Sequence, residues 1–257
     1  MAKKEPREAP DGAGSDHVEI VPGEGERGLI VGQTGSGKTA LATWMNERRP
    51  RAPILIYDTK GDPKFERMPR SAVTPDEHML GAMIEDPELD YVIWRPDVRI
   101  AHDTEKLDDV LLHHYDNWQA DAYLDELRSF CTSGRAGPGL MALYTRGRSR
   151  GISTVGGVQR PAWVSRDAMS EAQHFYIFDM VDQKDRKRMA EIVPGFDQLP
   201  RVEPPHFYYW RRPMERPRLM RPVPLDPRYD TGYIDAEVSP ESGTEDGAPA
   251  APKHVWL

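Results

Sequence analysis

Short apolar runs alternate with segments of helical periodicity through the middle of the chain. The runs are "RGLIV" (27–31), "PILIYD" (53–58), "DYVIW" (90–94), "DAYLD" (121–125), "ISTVGGV" (152–158) and "HFYIFD" (174–179). Most are continuous rather than alternating, as expected of parallel strands covered on both faces. Between them, helical spacing recurs at 38–49, 75–84, 104–118, 138–148, 161–171 and 183–192. Asp103-Thr104-Glu105 and Ser165-Arg166-Asp167 supply capping chemistry ahead of two of these helices. The alternation predicts an α/β fold with a mostly parallel, helix-covered sheet. A late run, "PHFYYWRRP" (205–213), alternates as a half-buried edge strand does, which fits its aromatics better than a base-stacking role. The proline-rich stretch 213–227 then leads off the domain. The expected organisation is a disordered arm over 1–17, one domain over 18–212, and a proline-rich, acidic tail over 213–257. The tail's Val255, Trp256 and Leu257 could dock on a partner.

Composition narrows this picture. A chain of 257 residues can build one sizeable core. No apolar run approaches the ~18 residues of a membrane span. The basic N-terminus has no apolar stretch behind it, unlike a signal peptide. Cys131 is the sole cysteine, which excludes an internal disulfide and fits a reducing, intracellular setting. Net charge is −8, which argues against indiscriminate binding to polyanions. The distribution changes that: Leu127 to Arg166 holds no acidic residue but contains Arg128, Arg135, Arg146, Arg148, Arg150, Arg160 and Arg166. A polyanion could meet the chain there.

The chemistry is most legible in one loop. Gly32-Gln33-Thr34-Gly35-Ser36-Gly37-Lys38-Thr39 fits G-x-x-x-x-G-K-[ST] in full, between an apolar strand and a helix. Glycines let backbone N–H groups turn inward around phosphate oxygens, and the following helix points its positive end at them. Lys38 is expected to reach the β- and γ-phosphates of ATP, and Thr39 to ligate Mg²⁺. Hydrolysis also needs acid. Asp125 and Glu126, adjacent at the end of an apolar strand, are read as the Mg²⁺ ligand (partly through water) and the general base. Asp121, which interrupts that apolar run, and Asp116 are read as solvated or capping. Gln159 ends the next strand, which in such sheets lies between the loop strand and the acidic strand, and is read as the γ-phosphate sensor. His113 and His114 lack partners at metal-ligand spacing.

"GRSRGISTVGGVQRP", taken with "GQTGSGKT", "YDTKGD" (57–62) and "LDEL", resembles the FtsK–HerA superfamily of DNA-pumping ATPases over residues 27 to 195. The discriminating features are an arginine just before a Gly-Ile strand start and a Gln-Arg-Pro at its end. A compact chain of this kind is similar to viral genome-packaging ATPases. The resemblance implies an additional-strand, RecA-like P-loop fold and ATP hydrolysis coupled to translocation of double-stranded DNA. It also implies a homo-oligomeric ring, pentamer or hexamer, at a capsid or portal vertex. Such a protein would work in the host cytoplasm or on the virion. Other readings are a plasmid-transfer ATPase and a nucleotide-dependent switch. By the same resemblance Arg148 is the finger acting on a neighbour's site. Arg146 and Arg150 are then read as backbone contacts to DNA. The glycine-rich "CTSGRAGPG" (131–139) reads as a flexible loop that, with Arg128 and Arg135, could line a central channel and contact DNA phosphates.

Overall fold

The computed structural model describes residues 20–49, 53–132, 134–224 and 226–227. The expected arm, the tail beyond 227 and its last three residues lie outside these. In chain order the strands are β1 (Arg27–Val31), β2 (Ile54–Tyr57), β3 (Ser71–Thr74), β4 (Tyr91–Trp94), β5 (Asp121–Leu124), β6 (Cys131–Thr132), β7 (Arg135–Ala136), β8 (Thr154–Val158), β9 (His174–Ile177), β10 (Phe207–Arg211) and β11 (Arg218–Met220). Among the described residues, nine of them form one sheet in the order β11-β10-β9-β1-β8-β5-β2-β4-β3, and β6 and β7 make a separate hairpin. Pairing is parallel from β9 to β3. Within this sheet, β10 and β11 run against their neighbours.

The apolar runs are buried on both faces because successive side chains feed opposite cores. Leu29, Val31, Leu55 and Tyr57 pack with Leu107, Leu111, Leu140 and Met169 on one side. Ile30, Ile54 and Ile56 pack with Leu41, Trp44, Met45 and Phe65 on the other. Three helices matter most for the site: α1 (Lys38–Asn46), α2 (Thr104–Asn117) and α3 (Gln183–Ala190). Asp103 caps α2 as expected, its carboxylate accepting the Lys106 N–H at 3.1 Å. Ser165 stands at the start of the helix Arg166–Glu171 but its side chain makes no cap bond. Among the described residues no helix is long and apolar enough to cross a membrane.

Several expectations are corrected. β10 is not an edge strand: β9 and β11 flank it, and Phe207, Tyr208, Tyr209 and Trp210 are all buried. Its aromatics are core, with Trp210 Nε1 donating to the Met214 carbonyl and Tyr209 OH 3.0 Å from His174 Nδ1. The sheet therefore continues past residue 212, since β11 pairs with β10 and Val223 is buried beyond it. β3, short and half exposed, was not expected. The helix over 138–148 is an α-turn at Pro138–Met141 followed by π and 3₁₀ turns to Arg150. In the glycine-rich segment Cys131–Thr132 pairs with Arg135–Ala136 as the β6–β7 hairpin, and Asp108 on α2 accepts the N–H groups of Gly139 and Leu140, both at 2.8 Å. Asp121 is neither solvated nor capping: it is buried, accepts the Ser153 N–H at 2.8 Å and lies 3.8 Å from buried Arg49.

Candidate active site

β1 delivers the phosphate loop at its C-terminal end, and Gly32 N–H donates to the Val158 carbonyl at 2.9 Å, fixing the loop to β8. A Cβ on Gly32 would stand 2.6 Å from Phe178 Cβ and 2.7 Å from Ser36 Oγ, so only glycine fits. Gly35 and Gly37 hold φ of +78° and +103°, the left-handed region that glycine enters without strain. Gly37 occupies the N-cap position of α1, where no side chain satisfies the helix's first N–H groups. Those donors and the helix dipole are left for an anion. Ser36 Oγ is buried with no partner, a second unfilled polar group in the same loop. Lys38 Nζ donates to the Gln33 carbonyl at 2.8 Å. Burial, reinforced by the nearby Lys60 cation, pushes the Lys38 ammonium down to about 8, with Glu126 and Asp125 pulling it back up. The cradle, the orphaned hydroxyl and the desolvated ammonium fit a polyphosphate.

β5 ends at Leu124, and the two acids follow at once. Asp125 and Glu126 are 5% and 8% exposed. Burial pushes the Asp125 carboxyl up to about 6, against the pull of Lys60. The register Val31↔Val158 and Leu124↔Gly156 sets β8 between the loop strand and the acidic strand. Gln159, one residue past β8, therefore stands between phosphate loop and acid pair. With Lys60, Glu126, Arg128, Arg160 and Trp163 it lines a cleft of about 460 Å³. Thr39 and Asp125 offer only oxygen donors, the set that suits Mg²⁺.

One member of the site carries no role in the sequence reading. Lys60 Nζ lies 2.9 Å from Glu126 Oε2 and 3.7 Å from Asp125 Oδ2. The motif "YDTKGD" marks it, but its role depends on β2 being the neighbour of β5, which linear spacing does not reveal.

The arginines do not form one surface. Arg128 and Arg160 clasp exposed Trp163, their guanidinium carbons 4.0 Å and 4.8 Å from its ring. Arg160 is further held by Asp182 and Asp185, each at 2.6 Å. Both arginines sit at the phosphate-loop edge of the sheet. Arg135 is exposed on the hairpin. Arg146, Arg148 and Arg150 precede β8 and so lie at the opposite edge. Arg148 backbone approaches to 3.2 Å from where a Gly25 Cβ would stand, just ahead of β1. About 16 Å of strand separates that edge from the phosphate loop. Arg150 is committed to Tyr115, donating to its carbonyl and lying over its ring. Arg146 and Arg148 are exposed.

No family model matches the sequence. The chain is 29% identical over 216 residues to the DNA packaging ATPase P9 of Enterobacteria phage PRD1, an alignment spanning 79% of this chain and 90% of P9. In structure it superposes on the genome packaging NTPase B204 of Sulfolobus turreted icosahedral virus 2 in complex with AMPPCP. The TM-score is 0.61 at 14% identity, covering 77% of this chain and 98% of that one. B204 of Sulfolobus turreted icosahedral virus, described as a DNA-packaging ATPase, gives 0.58 at 16% identity over 79% and 100%. The chain thus has the additional-strand P-loop NTPase fold and is similar to viral genome-packaging ATPases.

Proposed function

We propose that this protein is an ATPase that drives double-stranded DNA into a viral capsid, working as a ring of identical subunits. The observation that carries the reading is the convergence of three strand ends on one point. β1 brings the phosphate loop, β5 the buried acid pair and β8 the polar Gln159 between them. The likeness to P9 directs the ATPase towards DNA packaging rather than plasmid transfer or switching.

The residues have separable tasks. The loop N–H groups and Lys38 bind the β- and γ-phosphates of ATP. Thr39 and Asp125 would hold Mg²⁺, which would neutralise charge on the phosphate oxygens. Glu126 takes the proton of the attacking water, and Gln159 orients that water and contacts the γ-phosphate. Arg148, at the sheet edge remote from its own loop, would complete a neighbour's site instead. Arg128, Arg135 and Arg146 are the candidates for contacts to DNA phosphates, which carry no sequence information. Arg150 is a weaker candidate because Tyr115 holds it.

DNA-dependent ATP hydrolysis with directional displacement of a protein roadblock from duplex DNA is the direct test. Glu126→Gln should still bind ATP but turn it over at least about 100-fold more slowly. ATP turnover with no roadblock displacement would favour a switch over a motor, and unchanged turnover in Glu126→Gln would move the base elsewhere.

A further inference from the structure

Lys60 is presented to the acid pair by a loop that is built rather than loose. Asp58 is fully buried at the end of β2, and its Oδ1 accepts the N–H groups of Gly61 at 2.8 Å and Asp62 at 3.0 Å. Its other oxygen takes Arg95, with Nε at 2.9 Å and Nη2 at 2.8 Å. Arg95 also donates to the Asp62 carbonyl at 3.2 Å and pairs with Glu66. Gly61 holds φ +76°, which lets the chain turn tightly around the Asp58 carboxylate. The register Tyr57↔Leu124 puts this turn alongside the residues that follow β5. Lys60 Nζ consequently meets Glu126 at 2.9 Å and Asp125 at 3.7 Å.

That arrangement answers an electrostatic problem. Asp125 and Glu126 are adjacent, buried carboxylates, and Asp58 and Asp62 stand close enough to repel Asp125 further. Glu126 also borders an open cleft into which its side chain could rotate. An exposed ion pair would hold it weakly, but here both acceptors are buried and the cation comes from a pinned loop. Lys38, the other nearby cation, is occupied by the phosphate loop.

We propose that Lys60 is a positioning residue for hydrolysis: its ammonium holds the Glu126 carboxylate beside Asp125, where the general base must stand when ATP is bound. This inference rests on Glu126 being the base. Lys60 is part-exposed, so its truncation opens no cavity in the core.

The experiment compares steady-state ATP hydrolysis and binding of a fluorescent ATP analogue in Lys60→Met, Lys60→Arg, Glu126→Gln and the double variant Lys60→Met/Glu126→Gln, with thermal melts as a folding control. Lys60→Met should lose between about tenfold and 100-fold in kcat, the scale of a misplaced catalytic group, while analogue affinity stays within about threefold of wild type. Lys60→Arg should recover most of that loss. The double variant should be no slower than Glu126→Gln alone, because a positioning residue has nothing left to position. Wild-type kcat in Lys60→Met would overturn the inference, as would a loss of analogue binding equal to the loss of kcat, which would make Lys60 a phosphate ligand. Failure of Lys60→Arg to rescue, or additive losses in the double variant, would overturn it too. Full activity in Glu126→Gln would remove the base assignment and this inference together, whereas loss there with full activity in Lys60→Met removes the inference alone.

Discussion

A methyl group added at Gly157 would stand 2.3 Å from the Asp125 carbonyl oxygen, closer than any real contact. The glycine pair just before the last residue of β8 is therefore what lets the acidic strand come so near the strand carrying Gln159. Gly157→Ala must push the Asp125 backbone away, since a carbonyl in a sheet cannot rotate aside as a side chain can. Overpacking of this kind costs about 1–3 kcal/mol, and here the displaced atoms belong to the site. Gly157→Ala should lower the urea midpoint and reduce ATP turnover together. Unchanged values for both would show that the close approach plays no part in placing Asp125. Lys38 and Asp125 illustrate a related point. Each charge sits in a mostly buried place with opposite charge nearby: Glu126 and Asp125 offset part of the desolvation of Lys38, and Lys60 part of that of Asp125.

Among the elements, α2 ties together parts that are distant in sequence. Asp108 in its second turn anchors Gly139 and Leu140, and His114 in its last turn sits fully buried against β2. His114 Nε2–H donates to the Ala120 carbonyl at 2.9 Å, leaving Nδ1 to accept the Tyr57 hydroxyl at 2.8 Å. Burial pushes His114 down to about 4 from its ordinary 6.5. The unfolded chain thus binds this proton more readily than the folded one. The stability due to neutral His114 is complete above about pH 6.5 and is lost as pH falls towards 4, by about 3 kcal/mol in all. Asp125, raised by burial, works in the opposite sense over much of the same window. Comparison with His114→Gln isolates the histidine, because both proteins share every other group. Urea unfolding between pH 7 and 4 should show stability falling less steeply in His114→Gln. Parallel curves would mean that His114 does not titrate on unfolding.

For the whole molecule, the decisive feature is that the candidate nucleotide site and Arg148 lie at opposite ends of the strands. The phosphate loop, acids and Gln159 follow the C-terminal strand ends and Arg148 lies beside the residues ahead of β1, so in the proposed ring Arg148 would serve a neighbour's ATP and not its own. If Arg148 acts in trans, Arg148→Ala should bind ATP normally yet lose about 100-fold or more in hydrolysis, since a finger matters mainly in the transition state. Mixing inactive Arg148→Ala with inactive Glu126→Gln should then restore activity, with a maximum at an intermediate ratio. In some mixed interfaces an intact Glu126 faces an intact Arg148. Normal hydrolysis by assembled Arg148→Ala would pass the finger role to Arg146, an exposed arginine of the same segment.

The phosphate loop was fully legible because its chemistry is local: contiguous glycines are required where the backbone turns left-handed, and Lys38 must follow at once. Burial of the central strands on both faces was legible for a similar reason, since continuous apolar runs have no polar face to expose. The acid pair and Gln159 could be placed because both stand at the ends of such runs. Strand order, by contrast, is a global property, and whatever depends on it was hidden. Asp121 looked like a blemish in an apolar run until Arg49 and the Ser153 N–H were brought to it from other elements. "PHFYYWRRP" looked like an edge strand because β11, three residues among prolines, carries too little apolar signal to announce that it covers that edge. The basic segment looked continuous along the chain, but β8 runs through it and carries its arginines to opposite ends of the sheet. Lys60 became part of the site only through the pairing of β2 with β5. Sequence fixes what a residue must do to its own backbone, whereas the partner that a charge meets across the sheet is decided only when the strands are ordered.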